Sequence, residues 1–182
     1  MSLLDQIKQY DDVLTEEEFS EVEKHLSSFG WGKHYSIATQ KDKFLWALPG
    51  LEKLDFFNVI LLNKIQKMTK MKFNVERIYA NAQTTLLDGY PHCDTPDDNA
   101  YTFLIYMNRQ WQFEWGGETL FLDRYYDIKK GCSIEVSKNY KFYLPKPNCA
   151  LFFPGKIYHF GKSPSKDFCD IRYTLAFKLF KK

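Results

Sequence analysis

The sequence predicts a mainly β protein of the α+β class, with short strands forming a sandwich or barrel and helices packed outside it. Helical periodicity is confined to the first part of the 182-residue chain, and from about residue 73 it gives way to short apolar runs. Turn chemistry punctuates those runs at close intervals. The composition, 45% hydrophobic with 18% aromatic residues, suits a folded core rich in rings. The length fits one domain, 1–182, with 1–72 as a helical support and 73–182 as the core.

The first helix announces itself at Thr15-Glu16-Glu17-Glu18, where Thr15 and Glu18 form a capping box. Phe19, Val22, Leu26 and Phe29 then follow at spacings of 3, 4 and 3, and Gly30 stands where a helix would stop. A second helix is predicted after Asp55, through Phe56, Ile60 and Asn63 towards Met68. The aromatic stretch between them, Trp31 to Trp46, has no clear period. Strands are predicted over 73–87 (one or two of them), 101–107, 118–122, 140–144, 149–153 and 171–180. Asp88-Gly89, Pro96-Asp97-Asp98-Asn99, Gly116-Gly117, Lys146-Pro147-Asn148 and Pro154-Gly155 are the turns that separate them.

Charge and cysteine content narrow the function. The net charge of +2, from 25 basic and 23 acidic residues, provides no field that would recruit nucleic acid or an anionic membrane. Cys93, Cys132, Cys149 and Cys169 lack CxxC spacing and read as reduced thiols, not as a zinc cluster or disulfide framework. No basic-then-apolar leader is visible and no apolar run would span a bilayer, so a cytoplasmic location is expected.

The chemical signal begins at His92-Cys93-Asp94. On extended backbone His92 and Asp94 share a face and Cys93 points away, so two ligand-type side chains can reach one metal ion. Such a pair is weak evidence alone, because it equally describes an ordinary turn. Only four histidines exist; His25 falls on the first helix, His34 in the aromatic stretch, and His159 in Ile157-Tyr158-His159-Phe160, readable as a late strand. Two His and one carboxylate leave open positions on a metal, the arrangement associated with non-haem Fe(II) oxygenases. Arg172 and Thr174 lie two apart on the final strand, where a guanidinium and a hydroxyl can converge on a carboxylate. The plainer reading is an exposed edge-strand Arg paired with Asp170 or Asp167.

Taken in order, these pieces resemble the 2-oxoglutarate- and Fe(II)-dependent oxygenases, in particular the prolyl-4-hydroxylase-like branch. The resemblance runs from about Phe73 to Phe180. It is carried by His92-Cys93-Asp94, by residues 101–108, by Trp115-Gly116-Gly117-Glu118-Thr119-Leu120-Phe121, by residues 145–153, by His159 and by Arg172-Tyr173-Thr174. It implies a double-stranded β-helix core, a jelly roll of cupin-like form. It implies Fe(II) on His92, Asp94 and His159, with 2-oxoglutarate and O₂ as co-substrates and ascorbate as an auxiliary reductant. Arg172 would take the distal carboxylate of 2-oxoglutarate, assisted by Tyr106 and Thr174, with Asn81 (or Gln83) near the co-substrate. Gly116-Gly117 is expected to be a structural turn. Residues 79–84 lack the aromatic-plus-glycine pattern of prolyl hydroxylases, and Trp111 and Trp115 have no assigned role. The expected activity is hydroxylation of a prolyl residue in a protein or peptide. Alternatives are a small-molecule or nucleic-acid-directed oxygenase of the same chemistry, and a metal-containing β-barrel binding module.

Overall fold

A computed structural model of the chain describes residues 2–28, 30–35, 44–123 and 139–182. Cys132, and the middle of the aromatic stretch at 36–43, lie outside the described residues. Ten strands and two α-helices are found among them. In chain order they are β1 (Lys8–Tyr10), α1 (Glu16–Leu26), β2 (Gly32–Tyr35), β3 (Phe44–Leu48), α2 (Leu62–Thr69), β4 (Phe73–Gln83), β5 (Ala100–Tyr106), β6 (Thr119–Leu122), β7 (Tyr140–Tyr143), β8 (Ala150–Pro154), β9 (Tyr158–Gly161) and β10 (Arg172–Lys181).

Every pairing is antiparallel. Seven strands form a major sheet in the order β1-β8-β5-β10-β4-β3-β2, and β7-β6-β9 form a minor sheet. The two sheets make a double-stranded β-helix. The predicted strands are all present, and the run from Phe73 is one strand ending at Gln83. The first 72 residues do more than supply helices: β1 extends one edge of the major sheet through β8, and β2 with β3 extends the other through β4. Part of the aromatic stretch is therefore strand.

Alternation of side chains gives the major sheet two different faces. The outer face carries Ile78, Ala80, Phe103, Ile105, Leu175, Phe177 and Phe152, which pack with Phe19, Val22 and Leu26 of α1, with Ile65 of α2 and with Phe57 and Leu61 just before it. The capping box at Thr15 and Glu18 forms as the sequence predicts, whereas α1 stops at Leu26, before Gly30. The second helix enters through a π-helical turn, Phe56–Leu61, which turns Phe57 and Leu61 inward and leaves Ile60 exposed. The inner face presents Leu104, Tyr106, Leu151, Phe153 and Ala176 to Phe121 of the minor sheet. Between these apolar residues runs a polar stripe, and the candidate site is built on it.

Candidate active site

Cross-strand register assembles the polar stripe. On β10, Arg172 lies opposite Gln83, and Thr174 opposite Asn81 on one side and Tyr106 on the other. Further along, Lys178 lies opposite Arg77 and Thr102. Directly opposed residues share a face, so Arg172, Thr174 and Lys178 project the same way as Gln83, Asn81, Tyr106 and Thr102. β10 is the central strand of the sheet, which excludes the reading of Arg172 as an exposed edge residue.

His92 is held by an isolated bridge to His159 of β9, not by a regular strand. Each backbone NH donates to the other's carbonyl, at 3.1 Å from His92 and 2.8 Å from His159. The imidazoles lie with centroids 4.7 Å apart and their planes tilted by 47°. His92 Nδ1 lies 2.8 Å from the Tyr90 carbonyl oxygen and His159 Nδ1 lies 2.9 Å from that of Ile157. A carbonyl oxygen only accepts, so both rings carry a proton on Nδ1 and turn Nε2 into the space between them. Asp94 closes this space, its Oδ1 lying 3.6 Å from His92 Nε2 and its Oδ2 3.8 Å from His159 Nε2. The three ligand-type atoms lie within 4.8 Å of one another. Cys93 contributes no atom to the group, as alternation on extended backbone predicts.

The electrostatics fit cation binding. Burial holds the His159 imidazole down to about 3, against the upward pull of Asp94, and so keeps it neutral and ready to ligate. Burial would raise the Asp94 carboxyl, but the Lys178 ammonium, His159 and a hydrogen bond with His92 together outweigh it and keep the group well below the usual carboxylate range. Lys178 is 4% exposed and donates to Asp94 Oδ2 and, at 3.1 Å, to Thr102 Oγ1. Thr102 donates to the same Oδ2 at 2.5 Å. A β-bulge interrupts the β4 register beside Lys178, the kind of irregularity that re-aims a side chain at a site. The sequence reading missed Lys178 and Thr102. Their one signal was period-two alternation from Arg172 on β10, followed across to β5.

At the other end of the stripe Arg172 is 2% exposed. Its Nε donates to the Gly117 carbonyl at 2.8 Å, and its terminal nitrogens donate to Gln83 Oε1 at 2.6 Å and to Thr119 Oγ1 at 3.2 Å. Tyr106 Oη donates to Thr119 Oγ1 at 2.8 Å, and burial pushes this phenol up to about 12. Burial lowers the Arg172 guanidinium, with Tyr106 and Glu118 opposing. Among the described residues no carboxylate forms an ion pair with Arg172. A buried guanidinium surrounded by neutral acceptors is costly unless an anion joins it. Gln83, which the sequence reading offered only as an alternative to Asn81, is the amide that touches the guanidinium.

Two glycines make room for this cluster. Gly117 has φ +73°, and a Cβ there would lie 2.9 Å from Trp111 Cζ2 and 3.2 Å from Arg172 Cδ. A Cβ on Gly161 would lie 2.9 Å from Gln83 Oε1. The tryptophans left unassigned by the sequence brace this turn: Trp111 Nε1 donates to the Gly116 carbonyl, and Trp111, Trp115 and Phe168 pack together.

The register relates the two ends of the site. Phe121 lies opposite His159, and Thr119 lies two residues earlier on β6, opposite Gly161. Two residues of strand span about 7 Å. The anion-seeking end and the ligand triad are thus separated by the reach of a short dicarboxylate chain.

The fold and site together define a class: a double-stranded β-helix with a His-Asp-His ligand set beside a buried arginine. No family model and no curated protein matches the sequence. Solved structures do match across nearly the whole chain. The non-haem alpha-ketoglutarate-dependent epimerase SnoN of nogalamycin biosynthesis aligns with a TM-score of 0.71 at 12% identity, over 96% of this chain and 78% of that one. A prolyl hydroxylase of Trichoplax adhaerens, in complex with a hypoxia-inducible-factor peptide fragment, aligns at 0.67 and 14%, over 96% and 83%. HygX of Streptomyces hygroscopicus, with nickel, 2-oxoglutarate and hygromycin B bound, aligns at 0.68 and 10%, over 96% and 82%. These likenesses establish the fold.

Proposed function

We propose that the chain is a 2-oxoglutarate- and Fe(II)-dependent dioxygenase. The observation that carries this reading is the pairing of two sites between the two sheets. A triad of two imidazole Nε2 atoms and a carboxylate lies about one short dicarboxylate away from a buried arginine with no ion-pair partner among the described residues. A metal-containing binding module would have use for the first and none for the second.

In this reading His92, Asp94 and His159 hold the metal, and their hard and borderline N and O donors with open positions suit Fe(II). Arg172 receives the distal carboxylate of 2-oxoglutarate through its two terminal nitrogens, with Thr119 and Tyr106 as hydroxyl partners. Gln83 and the Gly117 carbonyl hold the planar guanidinium in its orientation. Thr174 and Asn81 face the same channel between the two ends. When bound, Fe(II) with 2-oxoglutarate and O₂ supplies the chemistry, decarboxylation to succinate and CO₂ coupled to hydroxylation of a substrate C–H bond. The apolar residues Leu104, Leu151, Phe153, Phe121 and Ala176 exclude water around the channel.

The first 72 residues act with the core as one domain, because their strands continue its major sheet and their helices cover its outer face. No helix among the described residues is long and apolar enough to cross a membrane, and the free thiols of Cys93, Cys149 and Cys169 support a cytoplasmic setting.

The substrate is read as a prolyl residue of a protein or peptide, supported by the peptide-bound prolyl hydroxylase among the similar structures. A small-molecule substrate is the second reading, supported by the epimerase and by the hygromycin-bound structure. Succinate release, assayed with Fe(II) and 2-oxoglutarate across proline-rich peptides, free amino acids and modified nucleotides, separates these. Absence of any Fe(II)-dependent 2-oxoglutarate binding or turnover would overturn the dioxygenase reading itself.

A further inference from the structure

Lys178 and Thr102 both engage Asp94 on the same oxygen, Oδ2, which accepts from the ammonium and from the hydroxyl. Oδ1 accepts from neither and lies 3.6 Å from His92 Nε2, while Oδ2, carrying both donors, lies 3.8 Å from His159 Nε2. Lys178 and Thr102 also bond each other at 3.1 Å. The two donors therefore form a closed triangle with Oδ2, anchored on β10 and β5, which pair directly with Lys178 opposite Thr102. Lys178 is further packed over the Tyr79 ring, its Nζ 5.8 Å from the centroid, so the ammonium has little freedom to swing away.

From this we infer that Lys178 and Thr102 are positioning residues that keep Asp94 a one-oxygen ligand. The inference rests on the iron-site reading above. A carboxylate can bind a metal through one oxygen or both. If both Asp94 oxygens turned to the metal, the protein would supply four donors in place of three. One of the positions left for a chelating keto acid and for O₂ would then be lost. Occupying Oδ2 with two donors, one of them charged, removes that option before the metal arrives. The partners of a ligand matter to a metal site in this general way, and losing one commonly costs ten- to a hundred-fold in affinity or activity.

The test uses the full chain reconstituted anaerobically with Co(II), whose visible absorption reports coordination number, followed by titration with 2-oxoglutarate. Wild type is expected to bind Co(II) and to change its spectrum on adding the keto acid. Lys178→Met and Thr102→Val should still bind Co(II), with an altered spectrum before the keto acid is added. Their 2-oxoglutarate affinity should be weaker by about tenfold or more, while Thr102→Ser, which keeps the hydroxyl, behaves as wild type. Wild-type spectra and affinities in both Lys178→Met and Thr102→Val would overturn the assignment. If Lys178→Met fails to fold by circular dichroism, the Thr102→Val and Thr102→Ser pair decides by the same criteria. If wild type itself binds no Co(II), the iron-site reading has failed, and this inference falls with it.

Discussion

His92 and His159 are joined by a pair of backbone hydrogen bonds, 3.1 and 2.8 Å long, although His92 belongs to no regular strand. The bridge sets the two imidazoles side by side, tilted by 47°, and a carbonyl behind each holds Nδ1 and points Nε2 forward. Metal-binding geometry is in this way written into the main chain, and the side chains add only the donor atoms.

Substitution of Asp94 tests the triad and its hidden partner together. Asp94→Ala and Asp94→Asn should both abolish metal binding and 2-oxoglutarate turnover. Asp94→Ala should also lose about 3 kcal/mol or more of stability, because it leaves the Lys178 ammonium buried without its carboxylate. Metal titration and urea unfolding check the two parts separately. Unchanged turnover in either variant would remove Asp94 from the ligand set.

Arg172→Ala should weaken 2-oxoglutarate binding by about 100-fold, as expected for losing charge-assisted hydrogen bonds in a dry site, and leave metal affinity close to wild type. Arg172→Lys should recover little, since an ammonium cannot reproduce the fork that meets Gln83, Thr119 and a carboxylate at once. Calorimetric titration of the keto acid into metal-loaded protein decides. Equal affinity in wild type and Arg172→Ala would refute the clamp.

Gly117→Ala should destabilise the protein by about 1–2 kcal/mol from backbone conformation alone, with further cost because the new methyl meets Trp111 and Arg172. Its functional signature should be weaker 2-oxoglutarate binding with little change in metal binding, because the turn supports the arginine end. A variant with wild-type melting temperature and keto-acid affinity would mean that the turn is not braced as described.

The metal-free protein should lose stability as pH falls below 6.5. An unfolded histidine takes up its proton near 6.5, whereas His159 in the folded chain resists protonation down to about 3. Between these values the unfolded chain binds more protons, so stability rises with pH inside the window and is indifferent to this group above it. Asp94, lowered by Lys178, adds a loss of the same sign further into acid. Melting temperatures from pH 7 to 4 should show the decline, at most about 1.4 kcal/mol per pH unit from one group, and His159→Gln should flatten it. An equal slope in that variant would assign the decline elsewhere.

Much of the fold was legible because its signals are local. The capping box at Thr15 and the alternation on the final strand each depend on a few adjacent residues, and each appears where expected. The ligand triad was legible through a different route, as an ordered set of residue types, while its geometry depends on a bridge between distant segments. Lys178 was not legible: in sequence it is an ordinary strand lysine, and its meaning comes from register with Thr102 and from a bulge in β4. The strands β2 and β3 were missed because they lie at a sheet edge in a stretch without clean alternation, where pairing with β4 sets the conformation.

The triad also straddles the seam of the β-helix. Through Lys178 and Thr102 Asp94 is tied to the major sheet, while His159 sits on the minor one and holds His92 to it. An ion gripped by all three would act as a rivet between two layers that otherwise meet through apolar contacts and, at the far end, the hydrogen bonds of Arg172, Tyr106 and Gln83. Occupancy and cohesion then become linked quantities: every increment of metal affinity is also an increment of resistance to the layers parting. A chelator would soften the whole jelly roll and not merely silence its chemistry.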